Sequence, residues 1–420
     1  MNPASSDVIR SVEAVWRIEA ARVVATLSRY AGDVGVGEDL AQGALLAALE
    51  QWPNTGIPDV PGAWLVTVGK RRLLDDVRRR AIFDSKRDEL VRQAHGGQRR
   101  AEIEQEHMDE DIADDLLRLI FTTCHPVLSR QARTALTLKL VAGLTTEEIA
   151  RAYLVEVPTM AQRIVRAKRT LAEARVHFDA PMPEELPSRL DAVLEVVYLI
   201  FNEGYVATSG ERWTRPELCR EALRLGRILA ELVPAEPEVH GLVALMEIQS
   251  SRLRARVGSG GEPILLQDQD RRNWDQLLIR RGLAALERAD RLGRGLGPYG
   301  LQAAIAACHA RAPDLKSTDW TRISALYDAL AALAPSPVVD LNRAVALSMA
   351  YGPEAGLEML DRITAEPALK NHHLTAAVRG DLLERLGRPE EARREYERAA
   401  SLTENERERE LLARRARPSG

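Results

Sequence analysis

Apolar side chains recur every three to four positions through most of this 420-residue chain, and glycine and proline cut the pattern into segments of helix length. That period places one oily stripe on a helix, whereas a half-buried strand would alternate every second residue. Val8, Val12, Val15, Ile18 and Val23 fall near one face of a helix expected over residues 8–30, and a second helix is expected over 38–52. A third runs from Ala63 to Arg80. Aromatic residues make up only 4% of the chain, while Ala, Leu, Arg and Glu dominate, which favours helix over sheet. An all-α protein of two or three domains is the expectation.

Pro53, Gly56, Pro58, Pro61 and Gly62 mark a non-helical loop after the second helix. The third helix, AWLVTVGKRRLLDDVRRR, carries six cations against two aspartates. Residues 81–115 read as a linker that holds the break AHGGQRR and the acidic stretch AEIEQEHMDEDIADD. Helical periodicity returns over 116–177, and from 178 to 420 the chain is a run of amphipathic helices broken by glycine and proline. Within that run Pro353-Glu354 and Pro389-Glu390 stand 36 residues apart, close to the roughly 34-residue tetratricopeptide period. Gly387, Ala392, Tyr396 and Ala399 sit where such a repeat packs small and aromatic residues between paired helices, so an α-solenoid-like end is expected.

Three cysteines, widely spaced and without a CxxC pair, fit a reducing compartment. The N-terminus has no basic-then-apolar signal pattern, and no apolar run nears the roughly 18 residues of a membrane span, so a cytoplasmic protein without membrane attachment is expected. Cys124-His125 and Cys308-His309 invite a metal or thiol reading, but neighbours on a helix point about 100° apart and chelate poorly. No HExxH, P-loop, GxGxxG or GxSxG is present, so no catalytic residue, metal or cofactor is expected, and the chain is read as a non-enzyme. Asn202-Glu203-Gly204-Tyr205 reads as a helix end with Gly204 in a left-handed cap; Glu203 lining a pocket is the alternative.

The stretch LTTEEIARAYLVEVPTMAQRIVRAKRTL, residues 144–171, carries the sharpest local signal. Thr145 and Glu148 form a capping box for one short helix, and Pro158 suits the first turn of the next. Met160, Ile164, Ala167 and Leu171 share one face of that second helix, which leaves Thr159, Gln162, Arg163, Arg166 and Arg169 pointing outward. One side buried and one side rich in donors is the division that a major-groove recognition helix needs. A helical hairpin with a solvated basic face has the same pattern.

The same 28 residues resemble the promoter −35-reading region of a bacterial sigma factor. EDLAQGALLAALEQW and PGAWLVTVGKRRLLDDVRRR resemble the core-polymerase-binding and −10-reading helices of that family, in the same order. The order and the single linker resemble the extracytoplasmic-function group, and LIFNEGYVATSGERW onward resembles the subgroup with a long tetratricopeptide-like extension. The resemblance implies sigma domain 2 over 1–80, a linker over 81–115, sigma domain 4 with its helix-turn-helix over 116–177, and a helical extension over 178–420.

By that resemblance Asp39, Gln42 and Leu46 dock on core RNA polymerase, although Gly43 stands where the family commonly has an acid. Lys70, Arg71, Arg72, Arg78 and Arg79 contact the −10 element, with Arg71-Arg72 in place of a frequent Asn-Leu. Thr159, Gln162, Arg163, Arg166 and Arg169 read the −35 element, and the loop at 53–62 captures a flipped base. Trp64 is either a stacking ring or, by its spacing to Val68, a core residue. The acidic linker either mimics nucleic acid in a basic channel or is a solvated charge run. The implied function is promoter recognition and transcription initiation, with the extension regulating the factor or binding a further protein. A DNA-binding regulator with a scaffold domain would need only the hairpin and would leave the basic third helix unexplained.

Overall fold

Proline and capping side chains set most of the helix starts in this protein. The computed structural model describes residues 3–88, 108–153, 155–179, 181–182, 184–206, 213–293, 295–363, 369 and 372–417. Nearly all of the regular structure among them is helical, with an isolated extended bridge between Val257 and Pro263. The chain divides into two units at 196/197.

The first unit contains α1 (Pro3–Ala31), α2 (Val34–Thr55), α3 (Pro61–Asp88), α4 (Met108–Thr123), α5 (Arg130–Leu140), α6 (Thr146–Ala152) and α7 (Val157–Glu173), and the division falls inside α8 (Leu186–Tyr205). Asp33 caps α2 by accepting from the Val36 backbone N–H, and Ser129 caps α5 by accepting from that of Ala132. α1 and α2 pack closely because Gly37 has no side chain: a Cβ there would lie 2.6 Å from the Ser28 Cα. Leu27, Ala41, Ala44, Trp52 and Leu65 fill the core of this three-helix bundle, while Leu119, Phe121, Leu136 and Ile149 fill that of α4 to α6.

Several sequence expectations are corrected here. Residues 53–55 belong to α2 despite Pro53, and Pro61 opens α3 instead of closing a loop. A proline at N1 gives up an N–H that has no helical partner anyway. The chain turns at Gly56 (φ 81°), whose N–H reaches the Trp52 carbonyl at 3.0 Å. The linker expected over 81–115 is helical at both ends, as the last turns of α3 and the first turns of α4. Its final acid, Asp115, is buried and takes the Arg29 guanidinium at 2.9 Å and that of Arg118 at 3.4 Å. Burial raises the Asp115 carboxyl above its ordinary value, against the pull of Arg29, Thr26 and Arg118. Ile18, placed on the inner face by periodicity, is 71% exposed.

The second unit continues through α9 (Pro216–Leu232), α10 (Pro237–Ser250), α11 (Gln276–Arg291), α12 (Pro298–Arg311), α13 (Trp320–Leu333), α14 (Pro337–Tyr351), α15 (Pro353–Ile363), α16 (His373–Arg385), α17 (Pro389–Leu402) and α18 (Glu406–Arg415). Each of these packs on its neighbour in the chain, the one-dimensional arrangement of a solenoid. The two Pro-Glu dipeptides open α15 and α17. Ala392, Tyr396 and Ala399 are buried on α17, with Tyr396 seated over Gly380 of α16: a Cβ there would lie 2.7 Å from its Cε1. Gly387 turns the chain between the two helices at φ 71°.

Gly204 is not a left-handed cap. It lies within α8 where α9 begins close by, and a Cβ would meet the Cys219 N at 2.7 Å and the Arg215 O at 2.9 Å. Glu203 is buried in an ion pair with Arg215. Burial also raises the Cys124 thiol to about 11 and that of Cys219 to about 12, so neither is a thiolate near neutral pH.

Candidate polymerase and promoter interface

Residues 144–173 fold as the capping chemistry dictates. The Thr145 N–H donates to Glu148 Oε2 at 2.8 Å, and the Glu148 N–H donates to Thr145 Oγ1 at 3.1 Å, which closes the box that starts α6. Pro158 lies in the first turn of α7. Met160, Ile164, Ala167 and Leu171 are all buried, which fixes the roll of α7. Thr159, Gln162, Arg166 and Arg169 consequently face solvent, while Arg163 is half-buried at the edge of that face. Arg169 Nε donates to Glu173 Oε1 at 2.6 Å, an exposed pair that a phosphate would have to compete with.

The second cationic surface is α3. Arg71 and Arg72 are exposed, and Arg72 folds back over α2, where a Cβ on Gly43 would lie 3.2 Å from the guanidinium carbon and overlap Nη1. The glycine at 43 and the arginine at 72 are therefore one packing solution. Lys70 Nζ sits 3.9 Å above the Tyr30 ring and donates to the Tyr30 hydroxyl at 2.7 Å, so it is held by α1. Arg78 is largely exposed and 3.9 Å from Asp75. Arg79 lies on α3, but its side chain falls outside the described residues. Trp64 is half-buried and packs edge-on against the core ring of Trp52 with centroids 5.3 Å apart. The loop Gly56–Val60 in front of α3 exposes Ile57 and Val60.

On α2, Asp39, Gln42 and Leu46 share one exposed face, and Leu46 is 59% exposed despite being aliphatic. Val36 extends the same face toward the helix start. Gln42 Nε2 donates at 2.8 Å to Glu38 Oε1. Glu38 is buried and forms an ion pair with Lys168 of α7, so the α2 face and the outward-facing helix are joined by one polar link. Sequence reading missed both partners. The available signal was a glutamate in the stripe Val34, Glu38, Ala41, whose other members are core.

The geometry and the comparisons with known proteins agree. Residues 16–82 match the sigma-70 region 2 family, residues 118–171 match the sigma-70 region 4 family, and residues 189–290 match a family of unknown function, DUF6596. The chain is 43% identical over 396 residues to an uncharacterized protein of Rhizobium meliloti (strain 1021), covering 91% of this chain and 90% of that one. It is 28% identical over 165 residues to a probable ECF RNA polymerase sigma factor, SigI, of Mycobacterium tuberculosis (strain ATCC 25618 / H37Rv), covering 39% of this chain and 56% of that protein. No described helix is long and apolar enough to cross a membrane. With the region 2 match on α1 to α3, the region 4 match ending in the α6–α7 hairpin and helices through the described remainder, the chain carries sigma-70 region 2 and region 4 domains, is a homologue of an extracytoplasmic-function sigma factor and continues into a long C-terminal helical extension.

Proposed function

We propose that α2 docks on core RNA polymerase through Asp39, Gln42 and Leu46, that α3 holds the −10 element through Arg71, Arg72 and Arg78 with help from Lys70 and Arg79, and that α7 reads the −35 element through Thr159, Gln162, Arg163, Arg166 and Arg169. The observation that carries the reading is the roll of α7, with four apolar residues buried and Gln162, Arg166 and Arg169 presented together to solvent. The loop Gly56–Val60, with exposed Ile57 and Val60, is the place for an unstacked base. The functional boundaries at 80, 115 and 177 belong to the same proposal. The extension from 178 serves regulation or a protein partner, and the chain as a whole carries no reaction.

Reconstitution with core polymerase tests the reading: promoter-dependent transcripts are expected, and DNA binding without any transcript from the reconstituted enzyme would favour a simple regulator. Leu46→Glu places a charge in an apolar contact and should weaken core binding at least tenfold, with the helical circular dichroism unchanged because Leu46 is exposed. Core binding equal to that of the wild type would remove α2 from the interface.

The link between Glu38 and Lys168 bears on this mechanism. Elements at −10 and −35 are about 25 base pairs apart, roughly 85 Å of duplex axis, whereas α2 touches both α3 and α7 in the described unit. The factor must therefore part α7 from α2 before both elements are engaged. Glu38→Gln with Lys168→Met removes the ion pair and leaves the Gln42 side chain a partner. Initiation at limiting core polymerase is expected to rise about fivefold, the equivalent of an ion pair worth about 1 kcal/mol; an unchanged or reduced rate would show that the link does not oppose opening.

A further inference from the structure

A folded core almost never buries a guanidinium group without a counter-charge. Just after α10, Arg252 and Arg256 are 8% and 7% exposed. Among the described residues neither has a carboxylate partner: Arg252 Nη1 donates to Gln249 Oε1 at 3.1 Å and Arg256 Nη2 to the Tyr205 carbonyl at 3.2 Å. Of the buried carboxylates here, Glu203 is taken by Arg215 and Glu247 by Arg227. A third cation, Arg271, spends its Nη groups on the carbonyls of His309 and Ala312 and on the Thr318 hydroxyl, and the acid acting on it is the exposed Asp314.

Aromatic rings cover the faces of these cations but not their edges. Arg256 lies 3.7 Å above the Tyr205 ring, and Arg252 and Arg271 stand 5.2 and 5.3 Å from the Trp274 ring centroid. Cation–π contact leaves the in-plane N–H donors to find acceptors of their own. Among the described residues Arg252 Nε, Arg256 Nε and Trp274 Nε1 are buried donors without a hydrogen-bond partner, as is His309 Nδ1 in the tautomer that protonates it. Burial, Arg252 and Arg271 hold the His309 imidazole at about 3, so near neutral pH it adds no further charge. Each buried donor left open costs about 1–3 kcal/mol, and more when it is charged. Arg252 links this set: it stands over the Trp274 ring and its charge acts on Arg256 and His309, and clustered buried cationic donors are the groups that hold an oxyanion.

We propose that Arg252, Arg256 and Trp274, from the region that matches the family of unknown function, together with His309 of α12 just beyond it, form a binding site for a phosphate-type oxyanion. The two Nε–H groups and the indole N–H supply donors to the oxygens. The site is separate from the promoter-reading helices and stands or falls independently of them.

Inorganic phosphate is the probe. Full-length protein is unfolded thermally in phosphate and in chloride at matched ionic strength and pH, and binding is titrated by calorimetry. A ligand that binds only the folded form at one hundred times its Kd lowers the unfolded fraction about a hundredfold. That stabilisation is expected in phosphate and not in chloride. Arg256→Met should lose the phosphate response at least tenfold, and Trp274→Phe, which keeps a ring under the arginines and removes one donor, should weaken it severalfold. Arg166→Ala on α7 should retain it. Equal stability in phosphate and chloride would overturn the proposal. So would an undiminished response in a folded Trp274→Phe, or loss of the response in Arg166→Ala, which would place the binding in the promoter-reading surface.

Discussion

Alanine at both Arg163 and Arg166 is expected to reduce selective binding to a −35 duplex by roughly two to four orders of magnitude. A good base-edge contact is worth about 1–3 kcal/mol of discrimination, and each 1.4 kcal/mol is about tenfold. Arg166 is exposed and Arg163 half-buried, and neither belongs to the buried set Met160, Ile164, Ala167 and Leu171, so α7 keeps its roll. Fluorescence anisotropy with the promoter duplex and a scrambled one separates base reading from general attraction to phosphate. If binding to both falls equally, the two arginines contact only the backbone and the side chains that read the element lie elsewhere.

Trp52→Ala is expected to be the most damaging single change in the region 2 bundle, at about 3–5 kcal/mol of stability. Trp52 is 2% exposed, lies in the last turns of α2 and holds the ring of Trp64 on α3. The cavity it leaves cannot close, because Gly56 turns the chain one turn after it and α3 starts five residues later at Pro61. Loss of the bundle's thermal transition together with loss of −10 opening is the predicted phenotype, without a change in any residue that faces DNA. Trp52→Phe should be much milder. It keeps an edge for Trp64, and the indole N–H that it removes has no hydrogen-bond partner in the fold. If the alanine variant melts with the wild type, the Trp52–Trp64 pair does not organise the bundle.

Local chemistry was readable wherever it acts within a few residues. The Thr145–Glu148 box, the buried stripe on α7 and the prolines that open α15 and α17 follow from neighbours one to four positions apart, and the structure contains all of them. The outward set on α7 and the exposed face of α2 were legible for the same reason: where one side of a helix must be buried, the other side is known. Ile18 and Pro53 were misread because propensity and periodicity are weak against context. Ile18 lies about 140° around α1 from Val23, off the stripe that Val12 and Val23 bury, and a helix held by packing on both sides tolerates a proline near its end.

The sequence by itself determined that this chain is helical, where most of its helices begin, which family it resembles and which cations can face a duplex. Tertiary structure alone decided that Gly204 is a contact point for α9, that Gly43 makes room for Arg72, that Glu38 meets Lys168 and that Arg252 and Arg256 are buried with no carboxylate partner among the described residues. Those facts depend on groups tens to more than a hundred residues apart. A helix's period reports which side is buried, but it carries no information about the partner that buries it.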